Sequence, residues 1–448
     1  MKFFWIVVGC LSLMHVGFGQ TNSSRFFPYP YSSDKLSNGL ALVSVPTEHK
    51  NLIALYIIVR AGSRNEIEPG KSGFAHFFEH VMFRGSENFT SDQRDAIMKK
   101  AGAESNAYTS DDRTVYHALF SAQDLEAILT VEADRFQHLK YSEPDYKTEA
   151  LAVLGEYNKN SANPVNKLFE VLRNEAFTTH TYKHTTMGFI QDIEDMPNQY
   201  EYSHQFYNRY YRPEYTTILL VGDINRERAL ELTKTYFGEW KSGRYKVSVP
   251  TEPPQKKEQS ASVDWPSPTL PYVVVSHHAP AFSDTRKDKA ALDFLVPIGF
   301  GENSDLYQKL VLKEQKVDML ETAFDDQVDP ELFSVFARVK DPKDLDYVRD
   351  EIIKTFERFT KETISSDKVE ETRAHVRYRT ALGWQSAGAI ASFLAPYIAL
   401  NGNPDTVNKV FTLYNQVTAK DILDNAKKYF TPENRIIVTL ATKKEDRK

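Results

Sequence analysis

Short apolar, β-branched runs and longer stretches of helical periodicity alternate along the chain. Residues 40–45 and 53–59 predict two strands on either side of the turn-like Thr47-Glu48-His49-Lys50-Asn51. A polar loop with Pro69 and Gly70 follows, then residues 73–83, which lack proline and have glycine only at their start; they predict a helix. Thr90-Ser91-Asp92-Gln93 is a capping box for a short helix that Gly102 closes. Residues 103–109 and 114–120 predict two strands around a Ser110-Asp111-Asp112-Arg113 turn. A helix opening at Asp124 carries Leu125, Ile128, Leu129, Val131 and Phe136, and a longer one runs from Pro144 to about Asn160. Ile218-Leu219-Leu220-Val221-Gly222-Asp223 predicts a buried strand and turn before a helix over residues 227–237. Residues 21–38, polar, aromatic and broken by proline, predict an extended arm. Residues 241–268, rich in Lys and Gln and holding Pro250, Pro253, Pro254, Pro266 and Pro268, predict a linker.

Beyond the linker the order of elements repeats. Tyr272-Val273-Val274-Val275 answers Tyr56-Ile57-Ile58-Val59, and residues 332–337 answer residues 115–120. Asp344-Leu345 opens a helix as Asp124-Leu125 does, and Pro432-Glu433 precedes an apolar run as Pro213-Glu214 does. A nearly constant offset in one order predicts an internal duplication. The expected fold class is α+β: two homologous domains, each a mixed, mainly antiparallel β-sheet packed with helices. The expected boundaries are a leader at 1–19, a first domain at 20–240, a linker at 241–268 and a second domain at 269–448.

The chain has 448 residues, 41% hydrophobic and 26% charged, with a formal net charge of −6. That is more than one ordinary core and has the balance of a globular protein. No basic block points to nucleic acid. Residues 1–20 differ: Lys2 precedes Phe3, Phe4, Trp5, Ile6, Val7 and Val8, and Gly17-Phe18-Gly19 forms a small-x-small site. This predicts a secretory signal peptide, too brief for a membrane span. Val7-Val8-Gly9-Cys10 resembles a lipoprotein box only faintly, since apolar sequence continues past Cys10. Cys10 is the only cysteine, so cleavage at Gly19 leaves none. An exported chain of this size without disulfides points to a bacterial periplasm.

The chemistry lies in the helix at residues 73–83. His76-Phe77-Phe78-Glu79-His80 reads H-x-x-E-H, and helical spacing puts His76, Glu79 and His80 on one face. Two imidazoles and a carboxylate in that order form an inverted zinc motif. Five residues alone are equally a helix with two unremarkable histidines. A catalytic zinc needs a third protein ligand and an open position. Glu149 and Glu156 lie seven residues apart, about two helical turns, so they face one way. By residue type they are two solvated glutamates as readily as ligands. His180 and His184 sit among threonines that favour a loop, which argues against a second metal site. Adjacent His277 and His278 end a strand and point to opposite faces, as structural or rim residues do.

The sequence resembles the pitrilysin/insulinase family of zinc peptidases, in its short two-domain, processing-peptidase-like branch. The resemblance rests on H-x-x-E-H, on Glu156 76 residues beyond His80, and on Glu149 seven before it. It extends through Asn106-Ala107-Tyr108-Thr109, His180-Thr181-Tyr182, Phe206-Tyr207, Tyr211-Arg212-Pro213-Glu214 and Gly222-Asp223, over essentially the whole mature chain. It implies one zinc ion (Zn2+) bound by His76, His80 and Glu156, with Glu79 as general base. It also implies Glu149 orienting a ligand, and Asn106, Ala107 and Tyr108 on a strand that holds the substrate main chain. The implied substrate is a peptide or unfolded polypeptide.

One family feature is missing. The second domain of active members carries a neighbouring Arg and Tyr that reach the substrate carbonyl, and alignment puts Glu314 and Asp318 there. Ionised carboxylates donate no hydrogen bond to an oxyanion. The pair is therefore expected from a homologous partner subunit, with Arg377, Tyr378 and Arg379 as the alternative donors within this chain. A non-catalytic binding or scaffolding subunit is the competing expectation.

Overall fold

The computed structural model describes residues 25–443, so the expected signal peptide lies outside the described residues. The strands are β1 (Ser32–Lys35), β2 (Ala41–Pro46), β3 (Leu52–Val59), β4 (Glu104–Thr109), β5 (Thr114–Ser121), β6 (Thr216–Gly222), β7 (Gln259–Trp265), β8 (Tyr272–His278), β9 (Val317–Ala323), β10 (Leu332–Val339) and β11 (Arg435–Thr442). They form two sheets, ordered β1-β2-β6-β3-β5-β4 and β7-β11-β8-β10-β9. Apart from β1, the two orders match strand for strand. In each sheet one pair is parallel, β2 with β6 and β7 with β11, and the other pairs are antiparallel. The fold is α+β, two similar halves each built on a mixed sheet.

Within the extended N-terminal arm Ser32–Lys35 pairs with β2 as an edge strand. One local feature differs from the simple reading of the sequence. Residues 259–265, within the proline-rich stretch, form β7 and pair in parallel with β11. Their alternating burial suits an edge strand covered on one face.

Both faces of each sheet are covered, which explains the unbroken apolar runs that carried the repeat. Leu55, Ile57, Tyr116, Ile218 and Leu220 face a core shared with Phe74, Phe77 and Phe78. Ala54, Tyr56, Ile58, Leu219 and Val221 face Ile390, Ala391, Leu394 and Ile398, which come from the second half. The second sheet repays this in kind: Val274, Phe336, Ile436 and Val438 pack against Leu168 and Leu172 of the first half. Each half thus lends one helix to the other's sheet: Pro164–Ala176 (a helix labelled α3 below) and Ala387–Asn401 (α4). His277 lies against Phe356 and Phe430, with ring centroids at 4.6 and 5.2 Å. Burial pushes its imidazole down to about 3, so it is a neutral core residue. His278 turns the other way, onto Phe177.

The helix at the centre of the sequence motif, α1 (Phe74–Val81), packs its apolar face into the first core. Its start is fixed by two devices. The Glu66 carboxylate accepts from Gly73 N and Ala75 N, each at 2.7 Å, satisfying amides that have no partner within the helix. Gly73 adopts φ +90°, and a Cβ there would meet Ile193 Cδ1 at 2.3 Å. Gly73→Ala is accordingly expected to strain the turn and shift α1, lowering stability by about 1–3 kcal/mol. A thermal melt within a degree of the wild type would contradict this account of the turn.

Candidate active site

Five of the residues singled out in the sequence lie where α1 faces α2 (Glu143–Ser161), the helix that carries Glu149 and Glu156. Phe74, Phe77, Phe78 and Val81 are buried on one side of α1, which leaves His76, Glu79 and His80 on the other. The Nε2 atoms of His76 and His80 are 3.3 Å apart. Glu156 Oε2 lies 3.4 Å from His80 Nε2 and 3.8 Å from His76 Nε2. Four tetrahedral ligands at ordinary zinc–nitrogen or zinc–oxygen distances lie about 3.3 Å from one another. The three atoms therefore have the spacing of three corners of such a site. Among the described residues, this is the only group of three His, Cys, Asp or Glu side chains that meets within 4.8 Å.

The protonation of His76 suits a cation. Burial, and then the neighbouring His80, bring His76 down to about 4, so its imidazole is neutral at pH 7. Neutral imidazole and ionised carboxylate are the forms that bind a metal. Glu149, seven residues before Glu156, is 2% exposed and places Oε2 3.6 Å from His80 Nδ1. Its other oxygen pairs with Arg84. Arg84 offsets a carboxylate that would otherwise be costly to bury. It lies four residues past His80, in the turn that follows α1.

Glu79 stands beside the cluster. Its Oε2 accepts from Thr109 Oγ1 at 2.7 Å. Burial raises its carboxyl above the ordinary value, although the Thr109 bond pulls the other way. A carboxylate so raised is a better proton acceptor than one in water. Thr109 ends β4, and β4 is an edge strand paired only with β5. Its outer edge therefore offers backbone groups to an added strand. Asn106 and Tyr108 are exposed and half-buried on that strand, and Ala107 is buried. The Asn106 side chain accepts from Ala107 N at 2.9 Å. Thr109 belongs to the Asn106–Thr109 motif, yet its contact with Glu79 depends on a tertiary approach that spacing does not encode.

Other residues weighed in the sequence lie elsewhere. Glu314 accepts from Tyr347 OH at 3.0 Å, and Asp318 pairs with Arg338 at 2.8 Å. Neither offers a donor. Arg377 bonds Asn415 and stacks over Phe26, and Tyr378 is 65% exposed. His180 bonds Asp329, whereas His184 bonds Thr185 O, so the two do not form a second metal cluster.

Comparison with known proteins identifies the family. Residues 40–189 match the family model described as Insulinase (Peptidase family M16). Residues 199–376 match the one described as Peptidase M16 inactive domain. The chain is 29% identical over 410 residues to the zinc protease PqqE of Helicobacter pylori, spanning 90% of this chain and 91% of that protein. Over 223 residues it is 29% identical to the mitochondrial-processing peptidase subunit beta of Bos taurus, spanning 49% of this chain and 44% of that one. The crystal structure of a protease from Helicobacter pylori superposes with a TM-score of 0.85 at 27% identity, covering 92% of this chain and 99% of that one. The first half of PqqL from Escherichia coli shares the fold, with a TM-score of 0.73 at 16% identity over 92% of each chain. With its H-x-x-E-H helix in the segment matched by the insulinase model and the inactive-domain model following it, the chain belongs to the M16 (insulinase) family of peptidases, a pitrilysin-like member.

Proposed function

We propose that this chain is a zinc-dependent endopeptidase acting on peptides or unfolded segments, and that it is the metal-bearing subunit of a heterodimer. The observation that carries the reading is the meeting of His76 Nε2, His80 Nε2 and Glu156 Oε2 at 3.3–3.8 Å beside Glu79. These three residues hold one zinc ion, and Glu149 orients His80 from behind. Bound zinc supplies a Lewis acid that lowers the pKa of water and polarises a carbonyl. The rest is done by the protein's own groups. Thr109 holds one oxygen of Glu79, leaving the other to accept the proton of the attacking water. The water oxygen adds to the scissile carbonyl carbon. As the C–N bond breaks, Glu79 returns the proton to the leaving amine nitrogen. The substrate main chain adds to the outer edge of β4 along Asn106, Ala107 and Tyr108.

The heterodimer rests on what the second half lacks. Glu314 and Asp318 are acceptors already engaged by Tyr347 and Arg338, so donors for the oxyanion come from a homologous partner. Residues 1–19 direct export to the periplasm, residues 20–240 form the catalytic domain, and residues 241–268 lead into the non-catalytic domain at 269–448, their last part already forming β7 of its sheet. Among the described residues no helix is long and apolar enough to cross a membrane.

Glu79→Gln is expected to retain zinc and to lose peptide hydrolysis by about 100-fold or more, the contribution of a positioned general base. Undiminished turnover in that variant would contradict the mechanism. His80→Ala and Glu156→Gln are expected to lose the metal, read as zinc per chain after purification without chelator; stoichiometric zinc in both would contradict the ligand set. Hydrolysis by the chain alone is expected to be weak and to rise on adding a homologous chain that carries the Arg/Tyr pair. Full activity alone would remove the split site, and zinc-free, inactive protein in every combination would favour a scaffold.

A further inference from the structure

The β4–β5 turn of the first half and the β9–β10 loop of the second meet tip to tip. Hairpin tips are ordinarily solvated. Here Asp111 and Asp112 are 6% and 5% exposed, and Gln327 opposite them is 7% exposed. Val328 N donates to Asp112 Oδ2 at 2.8 Å, and Gln327 Nε2 donates to Asp111 Oδ2 at 3.1 Å. Asp329 Oδ2 accepts from Arg64 Nε at 2.5 Å and lies 2.9 Å from His180 Nε2. On the first-half side, Arg173 grips both oxygens of Asp111, at 2.8 and 2.7 Å, and Tyr182 OH donates to Asp112 Oδ1 at 2.8 Å.

Two paths lead from this latch to the catalytic carboxylate. Asp111 and Asp112 lie two and three residues past Thr109, and Thr109 Oγ1 donates to Glu79 Oε2. Arg64 N donates to Asp111 O at 2.8 Å, and Ser63 Oγ donates to Asp111 Oδ1 at 2.8 Å. Two residues beyond Arg64, Glu66 holds the first amides of α1, the helix that carries Glu79. The second half thus grips the end of the strand bearing Thr109 and the segment capping the helix bearing Glu79. We infer that Gln327, Val328 and Asp329 form a positioning element for Glu79, which fixes the approach of β4 to α1 across the junction of the two halves. The inference rests on the reading of Glu79 as the base.

The latch is not what keeps the halves together. That is done by the exchanged helices α3 and α4, whose apolar faces are buried in the opposite sheets. Loss of polar contacts at the tip therefore leaves a folded protein and frees β4 to move relative to α1. Buried, charge-assisted bonds of this kind are among the stronger ones to remove.

The test uses the full chain in its most active assembly, with Gln327→Ala, Asp329→Asn and, as a control that keeps the backbone donor, Val328→Ala. In the first two, kcat is expected to fall roughly tenfold, part of what a general base supplies, while KM stays within about twofold. Zinc content is expected to match the wild type. Amide exchange at Gly73, Ala75 and Ser110–Asp112 is expected to quicken, with Val328→Ala like the wild type in every reading. Unchanged kcat in both latch variants, or a loss only in proportion to zinc or folded fraction, would overturn the inference. If the wild type hydrolyses no peptide in any assembly, the reading of Glu79 fails by itself, and exchange decides the latch: unchanged protection at those amides overturns it.

Discussion

Two imidazoles and a carboxylate that approach within 3.8 Å on a partly buried surface do not gather there without help. Polar groups so crowded give up water, and atoms aimed at one spot offer each other little in return. The fold must hold them together, and a bound cation would offset the cost. Much of the first half serves this end. The phenylalanines of α1 anchor one face of the helix, Glu66 and Gly73 set where it begins, and α2 brings Glu156 to the point where the rings converge.

The duplicated second half repeats the strand order without repeating the chemistry. Its part is structural in two ways. Through α4 it covers the outer face of the first sheet, so that β3 and β6 are buried on both sides. Through the β9–β10 loop it reaches the turn that continues the edge strand beside Glu79. Among its described residues the second half gathers no metal-ligating cluster of its own, yet its loop is hydrogen-bonded to the turn beside the one in its neighbour. In the same half Glu314 and Asp318 are acceptors engaged by Tyr347 and Arg338, which is why the proposed function looks to a partner for oxyanion donors.

Much of this was legible in the sequence, for identifiable reasons. The strands read well because strands buried on both faces are nearly pure apolar runs, as in residues 218–221. His76, Glu79 and His80 were legible as one helix face because they sit three and four apart on α1, whereas Glu156 was singled out as their companion only through the family resemblance. Contacts between elements left no such trace. Thr109 against Glu79, Arg84 against Glu149, and Gln327 against Asp111 join residues 30, 65 and 216 positions apart. The strand at residues 259–265 was hidden by the prolines around it, since an edge strand with one solvated face lacks the apolar run of its neighbours.

The central claim is that His76, His80 and Glu156 hold a zinc ion. Anomalous diffraction recorded on either side of the zinc absorption edge, from crystals grown without chelator, tests it most directly. The account predicts a single strong peak among His76 Nε2, His80 Nε2 and Glu156 Oε2 that vanishes below the edge. No peak there, or a zinc peak held by other side chains, would contradict it.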